Sequence, residues 1–260
     1  MNLEKYQQYS RIARGLEKAD LVLKDARIVN VFTEEIIRGD IAIQDGIIAG
    51  IGSFHGKEER DLAGRYVCPG FIDSHLHLES TLVTPAELVT AASRHGTTTF
   101  IVDPHESANV SGLAGIDYIL DQTEDVKANV YVMMPSCVPA TAIDDNGCTL
   151  TAEDMVPYLH NSRILGLGEV MDSISVVQGE KSMHDKLELF EGRIRDGHAP
   201  FLEEGDLQAY AMAGIATDHE CSFFDYAMRE RRNGLTILVR EGSAARNLEA
   251  LVGGLVQRHM

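Results

Sequence analysis

Residues 69–77 read Pro69-Gly70-Phe71-Ile72-Asp73-Ser74-His75-Leu76-His77, an apolar segment that begins at a turn and ends in two histidines one residue apart. Side chains alternate faces along a strand, so His75 and His77 point the same way and can bind one metal ion. Three further candidate ligands each end a separate short apolar segment: Glu169, His198 and His219. A histidine pair alone is also typical of a polar strand face, but the pair together with three scattered ligand types predicts a metal site.

Strand and helix patterns alternate from residue 66 onward, which is typical of parallel βαβ units. Strands are predicted at seven places: 67–77, 97–103, 129–134, 164–170, 193–198, 214–219 and 235–240. Helices are predicted between them, for example at 85–94, 112–122, 152–159, 181–190 and 207–213. The candidate ligands fall at the C-terminal ends of the strands, where β/α barrels carry their chemistry. The pattern therefore predicts an α/β TIM barrel that is incomplete, with about seven strands.

A smaller unit is predicted ahead of this barrel. Residues 1–18 have the periodicity of a short amphipathic helix. The segment after residue 18 has the apolar pattern typical of β-strands. The sequence Gln44-Asp45-Gly46, typical of a tight turn, separates two of these predicted strands. We therefore expect a helix at 1–18, a small β unit that forms part of a β-sandwich at 19–66, and the truncated barrel at 67–260.

The composition excludes several kinds of partner. Forty acidic and 23 basic residues give the 260-residue chain a formal charge of −17, which repels nucleic-acid phosphates and anionic lipids. The four cysteines lack Cys-x-x-Cys spacing, and no apolar run follows a basic N-terminal stretch, so a secreted disulfide scaffold is disfavoured. No apolar stretch approaches the roughly 20 residues of a membrane span. We expect a cytoplasmic protein with a small-molecule substrate and no nucleic-acid or membrane partner.

Several short motifs together resemble one family. Segment 69–77 is similar to the first-strand signature of the amidohydrolase superfamily of metal-dependent hydrolases and deaminases. Within it, six further motifs resemble the microbial adenine deaminases in the same order: Asp103-Pro104-His105-Glu106, Ser136-Cys137-Val138-Pro139-Ala140, Gly168-Glu169-Val170-Met171, Asp196-Gly197-His198-Ala199-Pro200, Asp218-His219-Glu220 and Arg240-Glu241-Gly242-Ser243-Ala244-Ala245. The resemblance covers nearly the whole chain from about Ala19 onward.

The resemblance implies hydrolytic deamination of adenine to hypoxanthine and ammonia by hydroxide that divalent metal ions generate from water. It implies two such ions, Mn or Fe with Zn as the alternative, bound by His75, His77, Glu169, His198 and His219. It also gives catalytic roles to His105, Glu169 and His219. In this reading Glu169 bridges the ions, and His105 acts as an electrophile, a proton carrier or a ligand to an additional ion. A homo-oligomer is expected.

The expected barrel lacks its eighth strand. In the family this strand supplies an aspartate that binds the first metal and moves protons, and no residue after Arg240 matches it, since Glu249 lies in a helical pattern. We therefore expect the chain to be a fragment of a longer protein and to have little activity alone. Two alternatives stay open: another cyclic-amide or amidine hydrolase of the superfamily, and a catalytically silent metal-binding fragment. Surface or packing positions are expected for His95, His160, His184 and His259.

Overall fold

The N-terminal region is a helix followed by a β-sheet. In a computed structural model, which describes residues 1–141 and 143–258, the chain forms two units, Met1–Gly70 and Phe71–Met260. The first unit begins with helix α1 (Leu3–Ala13). This helix is shorter than the predicted 1–18 because Gly15 follows its C-cap with a left-handed φ of 70°. Five strands come next: β1 (Ala19–Asn30), β2 (Glu35–Gln44), β3 (Ile47–Gly52), β4 (Gly56–Asp61) and β5 (Tyr66–Val67).

These strands form one sheet. Four of them lie in the order β3-β2-β1-β4, and β5 pairs in parallel with β1. Asp45 and Gly46, with φ values of 51° and 75°, form the two-residue turn between β2 and β3 that the Asp-Gly sequence predicts. Buried Ala19, Val22 and Ala42 of the sheet cluster with Ile12 of α1, which gives this unit its own small core.

The second unit alternates strands and helices. Five parallel strands form a sheet in the order β6-β7-β8-β9-β10: β6 (Phe71–Leu76), β7 (Thr97–Val102), β8 (Asn129–Met134), β9 (Ile164–Val170) and β10 (Ile194–Gly197). Two short strands, β11 (Thr217–Asp218) and β12 (Thr236–Ile237), pair in parallel with each other. A 2.9 Å hydrogen bond from Ala216 N to Arg195 O joins β10 to the segment that leads into β11. The seven strands predicted for this region are therefore all present, in the predicted order.

Helices lie between these strands: α2 (Pro85–Ser93), α3 (His105–Ser111), α4 (Leu113–Gln122), α5 (Ala152–Met155), α6 (Ser173–Gln178), α7 (Lys181–Leu189), α8 (Glu204–Met212) and α9 (Phe224–Arg232). Helix α10 (Leu248–Arg258) follows β12. Strand residues such as Phe100, Val132 and Leu167 share one buried core with helix residues such as Ile116 and Ile119. Among the described residues, no helix combines the length and apolar character needed to cross a membrane.

The structure differs from the predicted elements at a few places. The predicted strand 67–77 is interrupted, because Pro69 has no N–H for a ladder bond; Val67 ends β5, and β6 starts at Phe71. The predicted helix 152–159 divides into α5 and a 3₁₀ segment, Val156–His160, at Pro157. Helices α3, α6 and α9 are additional to the predicted ones.

Candidate metal centre

The five predicted ligands lie together at the C-terminal ends of the strands. His75 lies near the end of β6 and Glu169 near the end of β9, whereas His77, His198 and His219 directly follow β6, β10 and β11. The rings of His75 and His219 stack with centroids 3.9 Å apart, and the His198 and His219 rings are 5.3 Å apart. His75 Nε2 and His77 Nε2 are separated by 3.3 Å. The structure thus brings all five residues into one cluster.

Glu169 is the centre of this cluster. Its Oε1 lies 2.8 Å from His75 Nε2, 2.9 Å from His77 Nε2 and 3.6 Å from His219 Nε2. Its Oε2 lies 3.2 Å from His198 Nδ1. The residue is only 3% exposed. The two oxygens therefore face different histidines, which is the arrangement that a carboxylate bridging two cations requires.

Two aspartates orient His75 and His77 through contacts at Nδ1, the ring nitrogen that does not face Glu169. His75 Nδ1 lies 3.0 Å from Asp196 Oδ2, and His77 Nδ1 lies 2.8 Å from the Asp103 carbonyl oxygen. Asp196 is itself held, since its Oδ1 accepts bonds from Gly197 N and the Thr217 hydroxyl. Because the Nδ1 atoms are engaged in this way, both rings present Nε2 to Glu169, as the outer partners of metal-binding histidines usually ensure.

Asp103 also fixes the backbone of Glu169. Its buried Oδ2 accepts a 2.7 Å hydrogen bond from Glu169 N. Gly168 makes room for this carboxylate, because a Cβ at that position would lie 2.2 Å from Asp103 Oδ2. Asp103 thereby anchors the backbone of the central carboxylate.

Burial and neighbouring charges shift the pKa values of the clustered side chains in different directions. Burial alone would lower the pKa of His75 and His77. The hydrogen bond to Asp196 and the close contact with Glu169 at His75, and the close contact with Glu169 at His77, raise these pKa values to about 10 and about 9. Burial would raise the pKa of Glu169, but the surrounding histidines hold it well below its usual range. Burial and the nearby His75 lower the pKa of His219 to about 3. At neutral pH, Glu169 is therefore a carboxylate and His219 a neutral imidazole.

Two donor atoms of the cluster are buried without an aligned hydrogen-bond partner. Glu169 Oε1 and His198 Nδ1 are buried and make no aligned hydrogen bond, although Glu169 Oε1 has a ring nitrogen at 2.8 Å. Buried polar atoms are nearly always paired, and imidazole and carboxylate groups that converge in this way can bind a cation once the histidines release their protons. Two sets of three ligand atoms, each within 4.8 Å of one another, share Glu169: His75, His77, Glu169 and Glu169, His198, His219.

His105 lies at the side of the cluster, at the start of α3. Its ring centroid is 4.7 Å from that of His77, and its Nδ1 is 3.4 Å from Asp103 Oδ1. Burial would lower the pKa of His105, but its contact with Asp103 outweighs burial and raises it. Asp103, His105 and Glu169 also form a set of ligand atoms close enough to hold a cation. The position of His105 fits both a proton carrier and a ligand to an additional ion.

Glu220 reaches the cluster although its sequence context predicted no definite role. Its Oε1 lies 3.7 Å from His219 Nε2 and 3.9 Å from His198 Nδ1, and it forms an ion pair with Arg240. Its position next to His219 in the chain was the available signal. Of the other five histidines, His55, His95 and His160 are exposed, His184 Nε2 lies 2.9 Å from Val176 O, and His259 falls outside the described residues.

A cavity of about 460 Å³ lies next to His105. His105, Cys137 and Met171 line it together with two loop carboxylates, Asp144 and Asp145. These residues follow β7, β8 and β9, so the cavity opens at the same strand ends as the ligand cluster. Its volume is in the range typical of small-molecule sites.

Comparison with known proteins identifies the family. Residues 66–248 match the Amidohydrolase family, and the chain belongs to it. The adenine deaminase of Desulfitobacterium hafniense (strain Y51) is 56% identical over 260 residues, which cover 100% of this chain and 46% of that protein. The adenine deaminase of Clostridium acetobutylicum is 49% identical over 245 residues, which cover 94% of this chain and 43% of that protein. The chain thus spans less than half the length of these curated relatives.

Solved structures support the fold. The β-aspartyl dipeptidase of Fervidobacterium islandicum AW-1, in complex with a β-Asp-Leu dipeptide, has a TM-score of 0.61 at 14% sequence identity, covering 93% of this chain and 71% of that chain. At this identity the likeness concerns the fold alone. Together with the family match, it confirms the predicted fold class, an incomplete α/β barrel of the amidohydrolase type.

Proposed function

We propose that the cluster around Glu169 is a divalent-metal centre with two ions, held by His75, His77, Glu169, His198 and His219. The observation that carries the proposal is the convergence of four histidines on a single buried carboxylate, with different ring nitrogens at its two oxygens. Imidazole and carboxylate donors suit Mn, Fe and Zn. The resemblance to adenine deaminases favours Mn or Fe.

We further propose that this centre serves hydrolytic deamination, in which adenine and water give hypoxanthine and ammonia. Divalent ions in such a site supply Lewis acidity, which lowers the pKa of water from 15.7 to about 7. The similarity to two curated adenine deaminases, at 56% and 49% identity, supports this substrate. The Glu at position 169 supports it as well, because the alternative cyclic-amide hydrolases of the superfamily are expected to have a lysine there.

The side chains around the cavity suggest how the substrate would be held. His105, with Nδ1 directed at Asp103 Oδ1, would carry a proton on its other ring nitrogen. Asp144 and Asp145 line the same cavity and would accept N–H groups of a purine. Glu220 Oε1, held by Arg240, would be a second proton acceptor near His219. In this arrangement the base would lie in the cavity next to His105.

The metal proposal is tested with Glu169→Gln. This change keeps the size of the side chain but removes the charge that holds two cations together, so bound metal should fall by about one equivalent or more while the fold is kept. Metal content after loading with Mn or Zn and desalting is the measurement, with circular dichroism as the check on folding. Glu188→Gln, at an exposed position of α7, is the matched control. Unchanged metal content in Glu169→Gln would argue against a bridging carboxylate.

The activity is tested by ammonia release from adenine. Because the chain spans 46% of the Desulfitobacterium protein, two samples are compared: this chain alone, and a chimera in which these residues replace the matching segment of that protein. We expect release by the chimera and a rate lower by about 10²- to 10⁴-fold or more in the chain alone, the usual contribution of one general acid or base. Metal bound by a chimera without turnover would favour the silent alternative. The expected cytoplasmic location and homo-oligomeric state stay predictions, for fractionation and light scattering.

A further inference from the structure

The pairing between β9 and β10 changes register close to Glu169 and His198, two of the proposed metal ligands. Arg195 pairs with Leu167, but the next pair joins Gly197 to Val170. Over this interval β10 advances by two residues and β9 by three, so β9 carries an extra residue in the stretch that contains Glu169. Such irregularities bend a strand and redirect its side chains.

The side chain of Tyr210, on α8, occupies the end of this irregular ladder. Its hydroxyl donates a 2.7 Å hydrogen bond to the Val170 carbonyl and accepts a 2.9 Å hydrogen bond from His198 N. In an uninterrupted parallel ladder, a backbone N–H of one strand donates directly to a carbonyl of its neighbour. Here the phenolic oxygen stands between the two groups. Tyr210 is completely buried, so water cannot take its place without a change in packing.

The two backbone groups that Tyr210 joins belong to the metal centre. Val170 directly follows Glu169, and His198 is itself one of the proposed ligands. A Cβ at Gly197 would lie 2.2 Å from Thr217 O, 2.8 Å from Ile215 Cγ2 and 3.2 Å from the Tyr210 hydroxyl oxygen, so the close approach of the Thr217 backbone requires glycine there and the hydroxyl adds a tight contact. The inserted hydroxyl therefore lies between the backbone next to Glu169 and the backbone of His198.

We infer that Tyr210 is a positioning residue for the metal centre: its hydroxyl, inserted between the ends of β9 and β10, fixes the separation of Glu169 and His198. The inference rests on the proposed metal centre. Removing the hydroxyl would leave the His198 N–H and the Val170 carbonyl unpaired in a buried place. The strand ends would then close on each other, because direct pairing is the way left to satisfy both groups. That movement would change the distance between Glu169 Oε2 and His198 Nδ1, now 3.2 Å.

The test compares wild type, Tyr210→Phe and Tyr158→Phe for Zn²⁺ affinity, measured by chelator competition on folded protein. Tyr158 is the control because its hydroxyl donates to Asp117 Oδ1 away from the ligands. We expect Zn²⁺ binding to weaken about 10- to 100-fold in Tyr210→Phe, the usual effect of removing an outer partner of a metal site, and to stay unchanged in Tyr158→Phe. The visible spectrum of the Co²⁺-loaded protein should shift in Tyr210→Phe alone.

The outcomes separate the inference from the metal proposal. A wild type that binds no Zn²⁺ refutes the metal centre itself. A wild type that binds Zn²⁺, with a folded Tyr210→Phe of equal affinity and an unchanged Co²⁺ spectrum, refutes the positioning role, even if the unfolding temperature falls. Should Tyr210→Phe fail to fold, a crystal structure of Zn²⁺-loaded wild type decides. The hydroxyl should keep both bonds there, and direct pairing of the strands with a displaced hydroxyl would overturn the inference.

Discussion

Replacing Glu230 with glutamine should make the stability of the protein less dependent on pH. Glu230 lies on α9, is fully buried, and has no aligned hydrogen-bond partner at either carboxylate oxygen. The neighbouring carboxylate of Asp218, equally buried, accepts hydrogen bonds from three backbone N–H groups, those of Ala199, Glu220 and Cys221. Negative charge is therefore better placed on Asp218. Burial, followed by the charge of Asp218, raises the pKa of Glu230 to about 9.

The size of the effect follows from this shift. A rise from 4.5 to about 9 corresponds to roughly 6 kcal/mol at 1.36 kcal/mol per pK unit. The folded state holds the proton more tightly than the unfolded chain does, so the contribution is fully present below pH 4.5 and is lost as the pH rises to about 9. Glutamine stays neutral throughout this range. The variant should match wild type near pH 5 and be more stable near pH 8.5, by several kcal/mol and at most about 6 kcal/mol.

The assay is urea unfolding followed by circular dichroism at pH 5, 7 and 8.5, with chelator present so that metal binding does not contribute. The groups that face Glu230 are Asp218, Cys221 and Tyr226, and neither thiol nor phenol gains charge in this range, because burial raises the pKa of both. Glu249→Gln, at an exposed position of α10, is the control and should leave the pH profile as it is. The reasoning is refuted if the Glu230→Gln variant shows the same stability difference from wild type at pH 5 and pH 8.5.

Two further predictions concern the metal centre. Gly168→Ala should abolish or strongly weaken Zn²⁺ binding, since the new Cβ would lie 2.2 Å from the Asp103 oxygen that holds Glu169 N; normal Zn²⁺ titration of a folded variant would contradict this. Zn²⁺ affinity should rise from pH 6 to pH 8, because the pKa values of about 10 at His75 and about 9 at His77 mean that both rings must lose a proton to bind metal. Calorimetry in buffers of different ionisation enthalpy should detect the released protons, and a pH-independent affinity would count against those pKa values.

Hydrophobic pattern predicts the fold best where strands are long and buried. The observed strands Asn129–Met134 and Ile164–Val170 have the predicted limits, because short, largely apolar runs mark buried parallel strands clearly. The predicted strands 214–219 and 235–240 shrink to Thr217–Asp218 and Thr236–Ile237. Those two segments pair only over two positions, and local composition does not report how far a ladder continues.

Helices at the strand ends are harder to predict. Helix α9 buries Tyr226, Ala227 and Glu230 within a segment rich in charged residues, so its apolar face is narrow and one of its buried members is a carboxyl group. A prediction from hydrophobic periodicity assigns a glutamate such as Glu230 to the solvent-exposed face of a helix and therefore misses it as a buried residue. The same reason hides the Glu230–Asp218 contact, which exists because the fold buries a glutamate beside an already hydrogen-bonded aspartate.

The convergence of the candidate ligands was predictable from the sequence, but most of the contacts that orient them were not. Imidazole and carboxylate side chains at strand ends carry a signal in their residue type, and His75, Glu169 and His219 do converge as expected. Asp196 has a residue type of this kind, but nothing in the sequence indicates that it contacts His75, and Tyr210 carries no such signal. Asp196 meets His75 across 121 positions of sequence, and Tyr210 acts through a register change between two strands. A ligand is defined by its own chemistry, whereas an orienting residue is defined by the backbone geometry of others. That geometry exists only in the folded chain, so outer partners of a metal site have to be found in the structure.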